Sequence, residues 1–365
     1  MAASKMMGIV FPNTRDSKLG GLTLERSTGS LPFASRYRLI DFALSRMVHA
    51  GVHTVGVIMQ HNYRSLMEHI GSGKEWDLSR KRGGITFFPP YSGAGAAGLY
   101  RGSLEALAGI QGYLKQVQED YVVVTDCDII CSVDLNQVLD YHIAKGAAIT
   151  LICSRDAHDS AVRVTADKNG ALLTASRGEG DLMFDNMYII SRQLLLQLVK
   201  EAANQNRYSF VDTCLIKPEY DLPIYCYEYE GFCRHIDSLQ AYFDISMSLL
   251  EPAVRHALFR PERPIYTRVR DEVPVKYGLS ADVTNSLIAD GCIIEGRVEN
   301  CIVFRGVHIG HGAVVKNSIL MQSGTIGNGA SLDYCICDRD VLVSANRHLA
   351  GCSDFPLYLP RDTHV

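Results

Sequence analysis

The residues able to do chemistry in this chain of 365 fall in a few short stretches. Thr125-Asp126-Cys127-Asp128 closes an apolar run, and Phe232-Cys233-Arg234-His235-Ile236-Asp237-Ser238 sets a histidine and an acid two residues apart. Residues two apart in extended chain face the same side, so Asp126 can present oxygen beside Asp128, and Asp237 beside His235. Carboxylates placed this way suit a hard divalent ion; Asp128 taken alone is equally a strand-end carboxylate capping a turn. Arg26, Arg36 and Arg38 form a third group, whose planar forks match phosphate oxygens. The competing reading pairs Arg38 with Asp41 and leaves the other two solvated or at an interface. His49, His53 and His61 lack metal-ligand spacing. The 11 cysteines are odd in number, and neither Cys127-x3-Cys131 nor Cys335-x-Cys337 makes a C-x2-C framework, which points to reduced, mostly buried thiols rather than a zinc site.

The elements that must position these groups are visible in the hydrophobic pattern. Ile9 to Phe11 reads as a strand, Ile40 to Ala50 as a helix stopped by Gly51, and Thr54 to Met59 as the next strand, a βαβ unit in outline. Leu104 to Gln118 predicts a helix and Tyr121 to Thr125 a nearly all-apolar strand. Ala148 to Cys153, Val162 to Ala166 and Phe184 to Ile190 supply further strands, with Gln193 to Ala203 a helix. The result is a doubly wound, Rossmann-like α/β domain. Ligands of such sheets gather beyond the carboxyl ends of the strands, which directs attention to Pro12–Leu19 and Asp126–Ile130.

From Ser286 the period changes. Val298, Val315 and Leu332 fall 17 apart, as do Ile302, Ile319 and Ile336, and the strings at Ile309–Val315 and Ile326–Leu332 are near copies. Units of about six residues, three to a coil, predict a parallel β-helix with one inward apolar residue per face stacked on the next coil. Exposed flanks and ends of such a coil favour association with other subunits. The expected division is an α/β domain over 1–251, a proline-rich connector over 252–285 and the β-helix over 286–365. With 36 Lys+Arg against 40 Asp+Glu, the chain has no bulk attraction for nucleic acid or an anionic membrane. No stretch approaches the ~20 apolar residues of a membrane span, and the opening residues are too polar and short for a signal peptide, so a cytoplasmic protein is expected.

The stretch Leu22–Ser45, with Tyr100–Leu107 and the C-terminal hexapeptide coils, resembles the ADP-glucose pyrophosphorylase (glucose-1-phosphate adenylyltransferase) family along nearly the whole chain. The resemblance implies a nucleotidyltransferase domain joined to a left-handed parallel β-helix, assembly as tetramers, and synthesis of ADP-glucose from ATP and glucose 1-phosphate. Several family motifs are altered here. Pro12 to Leu19 stands for the glycine-rich phosphate loop, where proline offers no N–H and Asp16 adds negative charge. Thr28 and Gly29 replace the lysine and proline that follow the family's arginine. Asp128 falls on the acidic metal position, with Cys127 for glycine and Ile129 for histidine, while the second metal carboxylate falls on His235. Tyr100, Arg101 and Gly102 match the nucleotide-pocket motif, followed by Ser103, Leu104 and Glu105 in place of T-A-D; a purely structural helix start is the alternative reading. Arg177 aligns with the lysine of the E-K-P motif, and could still hold a sugar phosphate.

A nucleotidyl transfer needs N–H groups and cations around the triphosphate and a divalent ion held by oxygen ligands. With loop, lysine and carboxylate all changed, no intact catalytic set is expected: Asp128 is vestigial as a metal ligand, and Tyr100, Arg101, Gly102 and Arg177 remain as substrate-pocket remnants. The pattern is similar to the GlgD type of glycogen biosynthesis protein. By that resemblance the chain is a regulatory subunit with little or no catalysis, requiring no cofactor itself. Its partner would be a GlgC-type catalytic chain in a heterotetramer, with Mg2+ in that partner, and Arg26, Arg36 and Arg38 would serve sugar-phosphate effectors. The alternative is an active sugar-phosphate nucleotidyltransferase with a rearranged metal site through Asp126 or Asp237. An acyltransferase based on the β-helix has only His308 and His311 to recommend it.

Overall fold

The computed structural model describes residues 5–13, 16–90, 100–155, 162–218 and 220–365. The chain divides into two compact units: Met1–Thr14, Phe42–His235 and Pro261–Tyr266 form the first, and Arg15–Asp41, Ile236–Arg260 and Thr267–Val365 the second.

The first unit is built on a nine-stranded sheet. Met6–Phe11 pairs in parallel with Thr54–Ile58 on one side and Tyr121–Asp126 on the other, and Gly84–Phe88 extends the parallel set. These strands read as unbroken apolar runs because both faces of a parallel sheet are covered, and Met7, Ile9, Val10, Val55, Val57, Val122 and Val123 are fully buried. Each such side chain contributes roughly 1.5–3 kcal/mol of burial free energy. The sheet is not parallel throughout. Leu182–Ser191, ten residues long, runs antiparallel to Tyr121–Asp126, Ile149–Ser154 and Val162–Ala166. Val162–Ala166 and Leu172–Arg177 pair antiparallel in turn, so no crossover helix intervenes where Ile149–Ser154 and Leu182–Ser191 become neighbours.

Strand boundaries follow the apolar runs closely, and the helices expected at 40–50 and 193–203 occupy Leu39–His49 and Arg192–Asn204. The long helix expected at 104–118 is two short ones, Ser103–Gly109 and Gln111–Gln116, broken at Ile110 (φ −110°, ψ 15°) between two glycines that weaken helix interiors. A small antiparallel ribbon lies beyond the sheet: Ile129–Cys131 pairs with Cys233–His235, with Cys131 opposite Cys233 and Ile129 opposite His235.

In the second unit, short strands stack into three five-stranded parallel sheets, the architecture of the left-handed β-helix that the hexapeptide period demands. Val298 lies beside Val315, Val315 beside Leu332, and Ile302 beside Ile319 beside Ile336, so the period of 17 is the rise of one coil. The pairing takes in Lys276–Tyr277 and Asp282–Thr284, inside the stretch read as a connector, because Val275, Ala281 and Val283 continue the apolar stack. Pro252–Leu258 is a short helix with proline in its first turn. Asparagines mark one corner of the coils: Asn285, Asn300 and Asn317 take positive φ of 42°, 52° and 44°. Asn285 Nδ2 donates to Asn300 Oδ1 (2.8 Å), Asn300 to Asn317 (3.3 Å), and Asn317 to Asp333 (2.9 Å).

Candidate functional site

The strand Tyr121–Asp126 delivers Asp126 and Asp128 to its carboxyl end, both buried. What gathers around Asp128 differs from the sequence expectation. Its neighbour is His235, whose Nδ1 lies 3.8 Å from Asp128 Oδ2 and whose Nε2 lies 3.0 Å from Asp185 Oδ1, all three side chains being essentially inaccessible. Asp185 also accepts a hydrogen bond from Ser154 Oγ at 2.8 Å. Burial would depress the imidazole, but the hydrogen bond to Asp185 and the nearby charges of Asp128 and Asp185 prevail, raising His235 to about 10. The imidazole thus lies between two buried acids that favour its protonated form.

Asp185 was missed by sequence reasoning. It sits in the apolar run Leu182–Ser191 at a bulge between Phe184 and Met187, where Asn186 takes φ 48° and reorients the chain. An acid inside an otherwise apolar buried strand was the available signal. The same pocket holds Cys131 and Cys233 from the ribbon, together with the buried guanidinium of Arg46. Arg46 Nη1 donates to Cys131 Sγ (2.9 Å) and Nη2 to Thr125 Oγ1 (3.2 Å). The Cys131 thiol is held below its ordinary range by the neighbouring Cys233 thiol and then by Arg46, against the effect of burial. These donors do not fit Mg2+. The ion needs oxygen in near-octahedral array, whereas imidazole and sulfur face the position here, with a protonated histidine between the carboxylates.

In the loop that would cradle phosphate, the side chains of Asn13 and Asp16 turn inward, while Ser17 and Lys18 are exposed. Asn13 Oδ1 accepts from Gln60 N (3.1 Å) and its Nδ2 donates to His61 O (3.0 Å). Asp16 Oδ1 accepts from Thr28 N (2.7 Å) and Thr28 Oγ1 (2.5 Å), so the acid of the loop is satisfied by the residue that replaces the family's lysine. Thr14 and Arg15 lie outside the described residues.

The pocket remnants are engaged with one another and with neighbours. Arg101 lies 3.5 Å over the Tyr208 ring and donates to Glu105 Oε1 at 2.6 Å, through Nη2. Gly102 caps the helix Ser103–Gly109 where a Cβ would come within 2.3 Å of the Tyr208 carbonyl, which accepts from Leu104 N–H instead. Tyr100 is half-buried beside that helix, and Arg177 pairs in solvent with Asp212 (2.8 Å). The positions T-A-D of the family have become a helix start closed by an arginine.

The three arginines of the second unit separate. Arg26 is buried and pairs with Asp338 (2.5 Å), which also accepts from Tyr358 Oη (2.8 Å). Arg38 is partly buried; its backbone N–H donates to Asp41 Oδ2 (2.9 Å). Burial first, then the charges of Arg26, Arg270 and Arg339, lower its guanidinium to about 10 despite Asp41. Arg36 is exposed, after Ala34 and Ser35 at φ 50° and 63°. It lines a cleft of about 540 Å³ with Ser35, Arg270, Glu272, Ile288 and Asp290. Arg270 is lowered by burial and by Arg305, Arg268 and Arg339, which marks a concentration of positive charge, although Arg305 itself pairs with Asp290 (3.0 Å).

A mixed α/β sheet with acids at the end of a central strand, followed by hexapeptide coils, defines a nucleotidyltransferase fold of the class that carries a β-helix. Residues 14–164 match the family described as Nucleotidyl transferase, and residues 273–351 the family GlmU-like, C-terminal hexapeptide. The chain is 36% identical over 364 residues to Glycogen biosynthesis protein GlgD of Bacillus subtilis (strain 168), covering 98% of this chain and 96% of that one. It is 39% identical over 317 residues to the GlgD protein of Geobacillus stearothermophilus, covering 86% and 83%. A Glucose-1-phosphate adenylyltransferase of Geobacillus stearothermophilus is 32% identical over 324 residues, covering 86% and 83%. This chain belongs to the family of GlgD glycogen biosynthesis proteins and glucose-1-phosphate adenylyltransferases. No helix among the described residues is long and apolar enough to cross a membrane.

Proposed function

We propose that this chain is a non-catalytic or weakly catalytic regulatory subunit for a glucose-1-phosphate adenylyltransferase, acting in the cytoplasm in ADP-glucose synthesis for glycogen. The observation that carries the reading is His235: where the family resemblance places a metal carboxylate, a buried imidazole lies 3.0 Å from Asp185 and 3.8 Å from Asp128. An imidazolium there neutralises the acids that would hold Mg2+, and without the ion the charge developing on a transferring phosphoryl group is unsupported. The inward-turned side chains of Asn13 and Asp16 support the same reading, since each is engaged with protein groups. The chain would need no cofactor of its own, and Mg2+ would act in the catalytic partner.

The regulatory part of the proposal rests on the arginine cleft. Arg36 and Arg270 border an open depression in which guanidinium forks can take a sugar phosphate, and a ligand bound there can bias a mixed tetramer between conformations without chemistry of its own. Arg26 and Arg38 would shape the field around it rather than contact the ligand. The test mixes the purified chain with a catalytic glucose-1-phosphate adenylyltransferase from the same organism, then measures assembly mass and ADP-glucose formation with and without sugar phosphates. A mixed assembly with raised activity is the expected result. Failure to co-assemble would overturn the regulatory reading. So would turnover by the chain alone at an ordinary enzymatic rate of ~1 to 1000 per second, which would favour an active enzyme with a rearranged site.

A further inference from the structure

We infer that Asp185, Cys233 and His235 form a buried three-donor site for a thiophilic divalent ion of the zinc class. The Asp185 oxygen, Cys233 sulfur and His235 nitrogen lie within 4.8 Å of one another, and all three residues are buried. The His235 Nε2 to Asp185 Oδ1 separation of 3.0 Å is near the ~3.3 Å edge of a tetrahedron with ~2.0 Å bonds. Ribbon geometry assembles the rest. Cys233 and His235 are two apart on one strand and so face one side, and Asp185 reaches them from the bulge of Leu182–Ser191.

The surroundings match those of a structural metal centre. Nδ1 of His235 faces Asp128, the arrangement in which a carboxylate orients a metal-bound histidine through its far nitrogen. Ser154 fixes Asp185 from behind, while Asp185 Oδ2 is buried with no hydrogen-bond partner among the described residues. One thiolate, one carboxylate and a dication sum to zero, so the buried site is electrically balanced. Entry of the ion displaces a proton from Cys233 and from the bonding nitrogen of His235 and leaves every bond order and oxidation state unchanged. With donors from two elements, the ion ties Cys233–His235 to the bulge of Leu182–Ser191. The inference does not rest on the proposed function, since a zinc-class ion held here occupies Asp185 just as an imidazolium does.

The test uses the reduced full-length chain, stripped of metal with a chelator and titrated with Co2+. One ion per chain is expected, with intense tetrahedral d–d bands and a thiolate-to-cobalt charge-transfer band that Zn2+ abolishes and Mg2+ does not. Cys233→Ser should weaken binding by at least roughly tenfold and reduce the charge-transfer band, while Cys352→Ser, at an exposed position, leaves both unchanged. X-ray absorption of the zinc-loaded wild type, which needs no variant to fold, should give one sulfur among nitrogen or oxygen neighbours. Absence of the charge-transfer band in the wild type, or any other sulfur count, would overturn the site.

Discussion

Arg26 and Arg36 are ten residues apart and carry the same charge, yet their surroundings give them different work. Arg26 is buried against Asp338, and a buried pair broken on one side leaves an uncompensated charge. Arg26→Ala should therefore destabilise the chain by about 3–5 kcal/mol, read as a lowered midpoint in denaturant; a shift near zero would mean that Asp338 is solvated after all. Resemblance placed both arginines among phosphate-binding candidates, and nothing in their spacing distinguishes them. The partner Asp338 lies more than 300 residues further along the chain, on a β-helix coil, so its pairing is invisible to any local reading. Asp16 is a similar case. As a sequence it is a negative charge in a phosphate loop, whereas in the fold it is the acceptor for two donors of Thr28.

Elements were more legible than contacts. Strands such as Tyr121–Asp126 announce themselves because a continuous apolar run flanked by polar turns has few other places to go. The coils did so through their period, since each inward side chain must match its neighbour one turn away. The asparagine corner adds a second constraint at the same period. Asn317 holds φ 44° and bonds to both neighbouring coils. Asn317→Ala should cost about 1–3 kcal/mol, combining backbone strain with lost bonds, and Asn317→Gly less, because glycine accepts that φ freely. Equal losses for the two variants in chemical denaturation would remove the strain from the account. Short elements escaped notice. The ribbon strands Ile129–Cys131 and Cys233–His235 are three residues each, too brief for a period to register, and their pairing joins positions about a hundred residues apart.

For the molecule as a whole, an altered nucleotidyltransferase centre lies in one unit and a cleft lined by Arg36 and Arg270, together with Glu272 and Asp290, in the other. If the cleft receives the effector, Arg36→Ala should leave the mixed assembly intact and stability unchanged within about 0.5 kcal/mol, while weakening the response to sugar phosphate at least roughly tenfold. Activity measured against effector concentration at fixed subunit ratio reads this directly, and an unaltered response would place the effector elsewhere. Net charge gives no hint of such a site, because 36 cations and 40 anions nearly cancel over the chain while guanidinium groups still concentrate around Arg270.

The sequence by itself determined the class of the fold and the β-helix period, because each depends on residue identity at nearby or regularly repeated positions. Only the tertiary structure decided that His235 meets Asp185 as well as Asp128, that Cys131 faces Cys233, and that Arg26 is spent internally while Arg36 stays open. These depend on which distant segments a folded chain brings within a few ångströms and on how far each group is removed from water. Short stretches of sequence carry neither quantity.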